Sequence, residues 1–357
     1  MNLQDWLPPY EMEAAEKTAR LVAELNVLNR HHWDRCRPYQ NVVKSLFGGI
    51  HEIDSLARMP WLPVSLFKTV ELSSVPAEQV VKVMASSGTS GMTPSRIVLD
   101  AETATVQART LVSIVKEFLP ERRPMLVIDE RGSVDGRSGF NARAAAILGF
   151  AKFGADHTYL LDDDLQPRWD VLAGFLDRYG DQPIFVFGFT WLVWERFVNA
   201  ASKAGRRFDF PESTVMIHGG GWKKLQQQAV SNELFKNSLA DQFGIKHVYD
   251  YYGMIEQVGS IYMECAQGVL HAPSYADIIV RSPETLDVLP ANTPGLIQTF
   301  SVLPQSYPGH SLLTEDMGAW LGEDDCPCGR KGKYFHVRGR LPKAELRGCS
   351  DVIALRA

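Results

Sequence analysis

Short apolar runs alternate with helix-like segments over the middle of the chain, and this alternation constrains the fold more than any other feature. Apolar runs at 124–129, 183–189 and 214–218 have the length and composition of buried strands. The predicted helices lie at 10–36, 102–118, 140–151, 169–179, 191–204 and about 223–243. Strands joined by helices predict an α/β architecture with a largely parallel sheet, whose ligand site lies beyond the carboxyl ends of the strands.

The chain changes character after about residue 270, where short strand-like runs and frequent prolines and glycines predict a smaller β-rich region. The net charge of -5 argues against nucleic acid or an acidic membrane surface as a partner. Neither a basic leader nor an apolar run long enough to span a membrane is present. We therefore expect a cytoplasmic protein, without membrane insertion, that acts on small molecules.

A loop rich in hydroxyl side chains and glycine lies between two strand-like segments. Its residues are Ser86, Ser87, Gly88, Thr89, Ser90 and Gly91. Backbone amides and hydroxyls in such a loop can converge on phosphate oxygens, which predicts a nucleotide-phosphate clamp. A polar turn in a surface hairpin is the alternative. The fingerprints of dinucleotide-binding folds and of P-loop enzymes are absent, which argues against a dehydrogenase or a P-loop kinase.

Two further strand ends carry candidate ligand-binding residues. Gly219, Gly220 and Gly221 follow a predicted strand, and such a turn lets backbone approach another strand or a flat ligand. The second segment contains Tyr251, Tyr252, Gly253 and Glu256. Its aromatic rings are suited to a purine and its carboxylate to a divalent cation, although core tyrosines and a surface acid would give the same pattern.

Three of the five cysteines, together with one histidine, form two pairs, Cys265 with His271 and Cys326 with Cys328. Three sulfurs and one imidazole are the ligand set of a closed tetrahedral zinc site, and two unrelated turns are the alternative. Four protein ligands leave no open position, so the predicted role is structural rather than catalytic. Cys36 is interpreted as a buried or incidental thiol.

The order of these motifs resembles that of the adenylate-forming enzymes. The hydroxyl loop, the glycine turn and the Tyr-Tyr-Gly-x-x-Glu segment are followed by an acidic turn at Asp316 and a Gly-Arg hinge at Arg340. Within that superfamily the chain looks most similar to the acyl-protein synthetases that feed the fatty-acid reductase of bacterial luminescence. Phenylacetate-CoA ligases are also similar, and some of their kin hold zinc on a comparable cysteine pair.

The resemblance implies a layered α/β adenylate-forming domain over residues 1–335 and a truncated hinge and tail over 336–357. This tail would replace the full C-terminal lid of CoA ligases, which about twenty residues are too few to build. It contains Cys349, within a segment that resembles the acylated cysteine segment of the acyl-protein synthetases. The neighbouring Lys343 and Arg347 would favour the thiolate. An incidental cysteine is the alternative.

Each role in the ATP site follows from the same resemblance. Thr89, Ser90 and the loop amides would hold the phosphates, and Glu256 would bind Mg2+. Tyr252 and the glycine turn would flank adenine, Asp316 would bind the ribose, and Arg340 would lie near the ribose or the α-phosphate. Arg96 stands close to where many adenylating enzymes have a lysine, and it keeps the positive charge with a different geometry.

The implied reaction is ATP-dependent activation of a carboxylic acid as acyl-AMP, then transfer of the acyl group to Cys349 and on to a reductase, acyltransferase or carrier protein. Direct transfer to CoA and an inactive scaffold subunit remain alternatives, and homo- or hetero-oligomers are both possible. The acid is expected to be a fatty acid, although an aryl acid also fits. Aromatic residues on a strand and the helix after it are more often simply core than the wall of a tunnel. The candidate tunnel residues are Phe185, Phe187, Phe189, Trp191, Trp194 and Phe197.

Overall fold

A computed structural model describes residues 6–86, 94–135, 142–222 and 227–341. They belong to two compact units. The first unit combines Met1–Ser113 with Gly253–Ala357, and the second is Ile114–Tyr252.

The helices are α1 (Ala14–Arg35), α2 (Arg37–Phe47), α3 (Ala101–Lys116), α4 (Ala142–Phe150), α5 (Trp169–Tyr179), α6 (Thr190–Leu192), α7 (Asn199–Lys203) and α8 (Asn232–Phe243). The strands are β1 (Leu62–Pro63), β2 (Lys82–Ala85), β3 (Arg96–Leu99), β4 (Arg123–Glu130), β5 (Gly154–Leu161), β6 (Phe185–Phe189), β7 (Val215–Gly219), β8 (His247–Tyr252), β9 (Tyr262–Glu264), β10 (Leu270–His271), β11 (Ala276–Arg281), β12 (Gly295–Ser301), β13 (Ser311–Glu323) and β14 (Lys333–Arg340).

The second unit contains the predicted parallel sheet, with strand order β5-β4-β6-β7-β8. This is the order of a doubly wound α/β fold, and the prediction of its class is confirmed. Strands β6 and β7 are buried along their whole length, as their continuous apolar runs require. Strand β5 was missed by sequence reasoning because it lies at the edge of this order. The exposed residues in the middle of the strand are polar, so it has no continuous apolar run.

Two helix predictions in this unit differ from the structure. The segment predicted at 191–204 is helical, but α6 and α7 are joined by a π-helical turn at Val193–Val198. The helix predicted from about 223 begins only at Asn232. Ser231 caps it, since its hydroxyl accepts a 3.1 Å hydrogen bond from the Leu234 amide. Residues 223–226 lie outside the described part of the chain.

The first unit is built on an antiparallel sheet with strand order β11-β12-β13-β14-β10-β9, and β1 pairs in parallel with β13. This confirms the predicted β-rich region, which begins slightly earlier than expected, at β9. Strand β14 runs across the predicted domain boundary after residue 335. That boundary stays a prediction. Among the described helices, none has both the length and the apolar character needed to cross a membrane.

Candidate active site

The hydroxyl loop starts and ends on adjacent antiparallel strands, β2 and β3, whose register pairs Ala85 with Arg96. The Ser86 amide donates to the Ser95 carbonyl at 3.1 Å, and the Ser95 amide donates to the Ser86 hydroxyl at 2.8 Å. These two bonds close the stem of the loop. Arg96 opens β3 and is exposed. The predicted phosphate-binding residues Ser87, Gly88, Thr89, Ser90 and Gly91 lie outside the described residues.

Glu256 lies in a buried 3-10 turn, Ile255–Gln257, and is 7% exposed. Burial raises the pKa of its carboxyl group, and the Ser95 hydroxyl and the positive charges of Lys68 and Arg340 oppose that rise. A carboxylate held in so little water gains strongly from a nearby cation. Ser95 of the loop stem and Arg340 thus act on the Glu256 carboxyl group, and its Mg2+ role stays a prediction.

Asp316 and Arg340 face each other across β13 and β14, where they are register partners. The Arg340 Nε atom lies 3.4 Å from Asp316 Oδ1, and the Arg340 side chain is 72% exposed. The predicted acidic turn is wrong, because Asp316 lies within β13, at a bulge in its pairing with β12. Thr314 fixes the backbone there, since its hydroxyl donates to the Ile297 carbonyl at 2.7 Å and accepts from the Asp316 amide at 3.2 Å. An exposed ion pair contributes little to stability, so the guanidinium can turn toward a bound anion at small cost.

In the second unit, the glycine turn follows β7 and packs on β8. A Cβ atom on Gly219 would lie 2.5 Å from Tyr251 Cε1, so only glycine fits there. Gly220 and Gly221 have φ values of +79° and +60°, a backbone region that glycine adopts without strain. The Tyr251 ring also packs at 5.1 Å from that of Phe150. Tyr251 thus supports the turn, and Tyr252 points to the opposite face because strand residues alternate.

His218, which sequence reasoning did not single out, is the last residue but one of β7, next to Gly219, and is 3% exposed. Its Nδ1 atom lies 3.0 Å from the Thr190 hydroxyl and 3.5 Å from Asp250 Oδ1. Burial, with a smaller effect of Lys236, lowers the pKa of His218 to about 3, so the imidazole is neutral. The Thr190 hydroxyl also donates to the Gly219 carbonyl at 3.1 Å, which fixes the start of the turn.

The aromatic residues considered for an acyl tunnel divide into two groups. Phe185, Phe187, Phe189 and Phe197 are at most 5% exposed, and Phe197 stacks on Phe243 at 3.8 Å. These four are packed in the core, which favours the simple-core alternative; their role in an acyl tunnel stays a prediction. Trp191 and Trp194 keep part of their surface exposed.

Two other residues that act on Glu256, Lys68 and Ser95, were missed because neither belongs to a recognisable motif.

The two cysteine and histidine pairs come together in the first unit. Cys265 directly follows β9, His271 lies in β10, and the turn before β14 carries Cys326 and Cys328. Their ligand atoms all lie within 4.8 Å of one another. The sulfurs of Cys265 and Cys326 are 3.9 Å apart, and Cys328 Sγ lies 3.3 Å from His271 Nε2. Tetrahedral zinc requires separations of about 3.8 Å between sulfurs and about 3.5 Å between sulfur and nitrogen, so the donor set fits.

Burial shifts the pKa values of three side chains in this cluster. Burial raises the pKa of the Cys265 thiol and raises that of Cys326 to about 12. Burial lowers the pKa of His271 to about 4, so its imidazole is neutral and able to coordinate. A divalent metal would displace the thiol protons and stabilise the thiolates, which is the usual coupling between metal binding and ligand ionisation.

Comparison with known proteins identifies the family. A family model described as acyl-protein synthetase, LuxE, matches residues 8–356. A relative from Vibrio harveyi named long-chain-fatty-acid–luciferin-component ligase is 22% identical, over 95% of this chain and 87% of its own length. The protein of the same name from Aliivibrio fischeri is also 22% identical, over 97% and 89% respectively.

Solved structures agree on the fold. An open conformation of 2-hydroxyisobutyryl-CoA ligase, in complex with 2-HIB-AMP and CoA, has a TM-score of 0.68 at 16% identity, covering 94% of this chain and 77% of that chain. The same ligase in its thioesterification state has a TM-score of 0.67 at 17% identity, covering 94% and 70%. These similarities show the fold of an adenylate-forming ligase. Because the family model spans nearly the whole sequence, this chain belongs to the acyl-protein synthetase (LuxE) family.

Proposed function

We propose that this protein activates a fatty acid with ATP as acyl-AMP, carries the acyl group on Cys349 as a thioester and passes it to a partner protein. The observation that carries the proposal is the family match over residues 8–356, whose two named relatives are long-chain fatty-acid ligases. The surroundings of Glu256 give it independent support, because a buried carboxylate beside Ser95, Lys68 and Arg340 fits a site for a metal-bound polyphosphate.

In the first step, a carboxylate oxygen of the acid attacks the α-phosphorus of ATP, and the bond to pyrophosphate breaks. This displacement needs positioning and charge neutralisation more than covalent help from the protein. Glu256 would hold Mg2+, which neutralises phosphate charge when bound. Arg340 and Arg96 would supply positive charge, Asp316 would accept hydrogen bonds from the ribose, and the turn of Gly219 would lie against adenine.

In the second step, the Cys349 thiolate attacks the acyl carbonyl carbon, and AMP leaves with the electron pair of the anhydride bond. A thiolate is a competent nucleophile, and the thioester stays reactive enough for a further transfer. A reductase, or an acyltransferase or carrier protein, would then receive the acyl group, which requires at least a transient hetero-oligomer. A reducing cytoplasm with ATP is the compartment that suits a free catalytic thiol.

We also propose that Cys265, His271, Cys326 and Cys328 hold a structural zinc ion. The distances between their ligand atoms support this assignment, as does the fact that four protein ligands close the coordination shell. The zinc supplies a cross-link between the β9–β10 hairpin and the turn before β14, and takes no part in the acyl chemistry.

Acid-dependent exchange of labelled pyrophosphate into ATP tests the first step. We expect exchange with fatty acids of graded chain length, and we expect the Cys349→Ser variant to retain it, since adenylation precedes the thiol. Cys36→Ala, which removes another thiol, is the matched control for changes in folding. Absence of exchange with every fatty and aryl acid would contradict the proposal. Formation of acyl-CoA by Cys349→Ser at the wild-type rate would favour direct transfer to CoA instead.

A further inference from the structure

The N-terminal strap, which we define as residues 6–17, is fixed to the segments that carry the cysteine and histidine ligands. The Ser274 amide donates to the Pro9 carbonyl at 2.7 Å, and the Lys331 amide donates to the Tyr10 carbonyl at 2.9 Å. Ser274 follows His271 by three residues, and Lys331 follows Cys328 by three. The strap is thus hydrogen-bonded to both halves of the ligand cluster at once.

Tyr10 covers the cluster from the strap side. It is 5% exposed, and its ring meets that of His271 edge to face at a centroid distance of 6.3 Å. The Arg330 guanidinium lies 5.5 Å from the centroid of the same tyrosine ring. A ring in this position excludes water from the imidazole and holds its plane, as outer residues around metal sites commonly do.

The strap is also tied down farther along the chain. The Asp324 carboxylate accepts a 2.8 Å hydrogen bond from the Ala14 amide and a 2.7 Å bond from the Gly332 amide. Lys331 forms a 2.9 Å ion pair with Glu13. Asp324 and Gly332 flank Cys326 and Cys328 in sequence, so the turn that supplies two sulfurs also positions the beginning of α1.

Lys17 ends the strap and brings a buried positive charge to the cluster. It is 1% exposed, and its Nζ atom donates to the carbonyl of Ala272, the residue after His271, at 3.1 Å. Its nearest carboxylate, Asp277, is 3.9 Å away and lies closer to Lys333, at 3.4 Å. Glu323 and Asp324 are the remaining acids that act on it. The Lys17 side chain therefore ties the end of the strap to the residue that follows His271.

We propose that metal binding by the cluster locks the N-terminal strap in place, because the strap is hydrogen-bonded to both segments that supply the ligands. The inference rests on the proposed zinc site and is independent of the acyl chemistry. Without metal, the β9–β10 hairpin and the turn before β14 lose their cross-link, and the strap that is bonded to both of them loosens.

Hydrogen exchange measured by mass spectrometry on the full-length protein tests the coupling. We expect removal of zinc by a chelator to raise exchange in peptides covering 6–17, to leave peptides covering α5 unchanged, and to be reversed when zinc is added back. Unchanged protection of the strap in protein shown to have lost its zinc would overturn the proposal. So would a purified protein that takes up no zinc.

The affinity for zinc, measured by competition with a chromophoric chelator, tests the role of Lys17. We expect Lys17→Met to weaken zinc binding roughly 10- to 100-fold, as loss of outer residues around metal sites does. Lys116→Met removes an exposed lysine and is expected to bind zinc as the wild type does. Wild-type affinity in Lys17→Met would overturn the part of Lys17 in this lock. If that variant does not fold, the hydrogen-exchange measurement on the wild-type protein still tests the coupling between metal and strap. Pyrophosphate exchange reports separately on adenylation.

Discussion

A stack of two buried histidines should make the first unit sensitive to acid. His32 and His310 are 0% and 1% exposed, with their rings stacked at 4.9 Å. Burial lowers the pKa of His310 to about 3 and lowers that of His32 well below its usual range. The stack supports the segment that contains Gly309, whose carbonyl accepts a 2.8 Å hydrogen bond from Gln257, the neighbour of Glu256.

The sign follows from proton binding. Below about pH 6.5 each histidine is protonated in the unfolded chain, while in the native state it stays neutral until the pH approaches its lowered pKa. The free energy of unfolding therefore has its full value above pH 6.5 and decreases as the pH drops below 6.5. Each histidine contributes a slope of about 1.4 kcal/mol per pH unit, or about 2.7 kcal/mol between neutral pH and pH 4.5.

The perturbation is His310→Gln, whose amide nitrogen can replace the Nε2 atom that lies 3.3 Å from the Tyr39 hydroxyl. Urea unfolding at pH 7.5 and 4.5 measures the loss of stability between the two pH values. We expect this loss to shrink by about 2 to 3 kcal/mol in His310→Gln, whatever the substitution costs at neutral pH. His51→Gln changes an exposed histidine and should leave the loss unchanged. An equal loss in wild type and His310→Gln would refute the reasoning.

Three further changes probe particular contacts. Gly219→Ala should lower the free energy of unfolding in urea by about 1–3 kcal/mol, because its Cβ would clash with Tyr251. Calorimetry should show weaker ATP binding by the same variant. Gly174→Ala, at an open position of α5, should instead raise the free energy of unfolding by about 0.5–1 kcal/mol. Arg143→Met should cost about 3–5 kcal/mol of unfolding free energy, since it leaves the fully buried Asp129 without its ion pair; a cost below 1 kcal/mol would contradict that assignment. Glu256→Gln should raise the Mg2+ concentration needed for half-maximal pyrophosphate exchange, and an unchanged Mg2+ dependence would remove Glu256 from the metal site.

Local sequence signals predicted a helix or strand correctly where residues typical of element ends stand at both of its ends. Helix α5 was predicted with its observed bounds, Trp169–Tyr179, because its apolar periodicity stops at a glycine. The start of α8 was wrong because the apolar pattern before Ser231 looked helical, whereas the serine cap determines where the helix begins. Strand β5 escaped detection since an edge strand needs little apolar surface.

The candidate site divides in the same way. The four candidate metal ligands were found from spacing and residue type, because three cysteines and one histidine in two short pairs are the ligand set of a zinc site. Lys68, Ser95 and His218 were missed because each acts through a tertiary neighbour that no local pattern reveals. The phenylalanines of β6 were ambiguous for a related reason, since an apolar residue facing a pocket and one facing the core look alike in sequence.

The measurement that tests the central claim most directly is intact-protein mass spectrometry after incubation with ATP, Mg2+ and a long-chain fatty acid. We expect a mass increase equal to the acyl group, located at Cys349 by peptide mapping, released by hydroxylamine and absent from Cys349→Ser. An acyl adduct that persists in Cys349→Ser, or that resists hydroxylamine, would contradict the account. So would acid-dependent pyrophosphate exchange that never leads to an acylated protein.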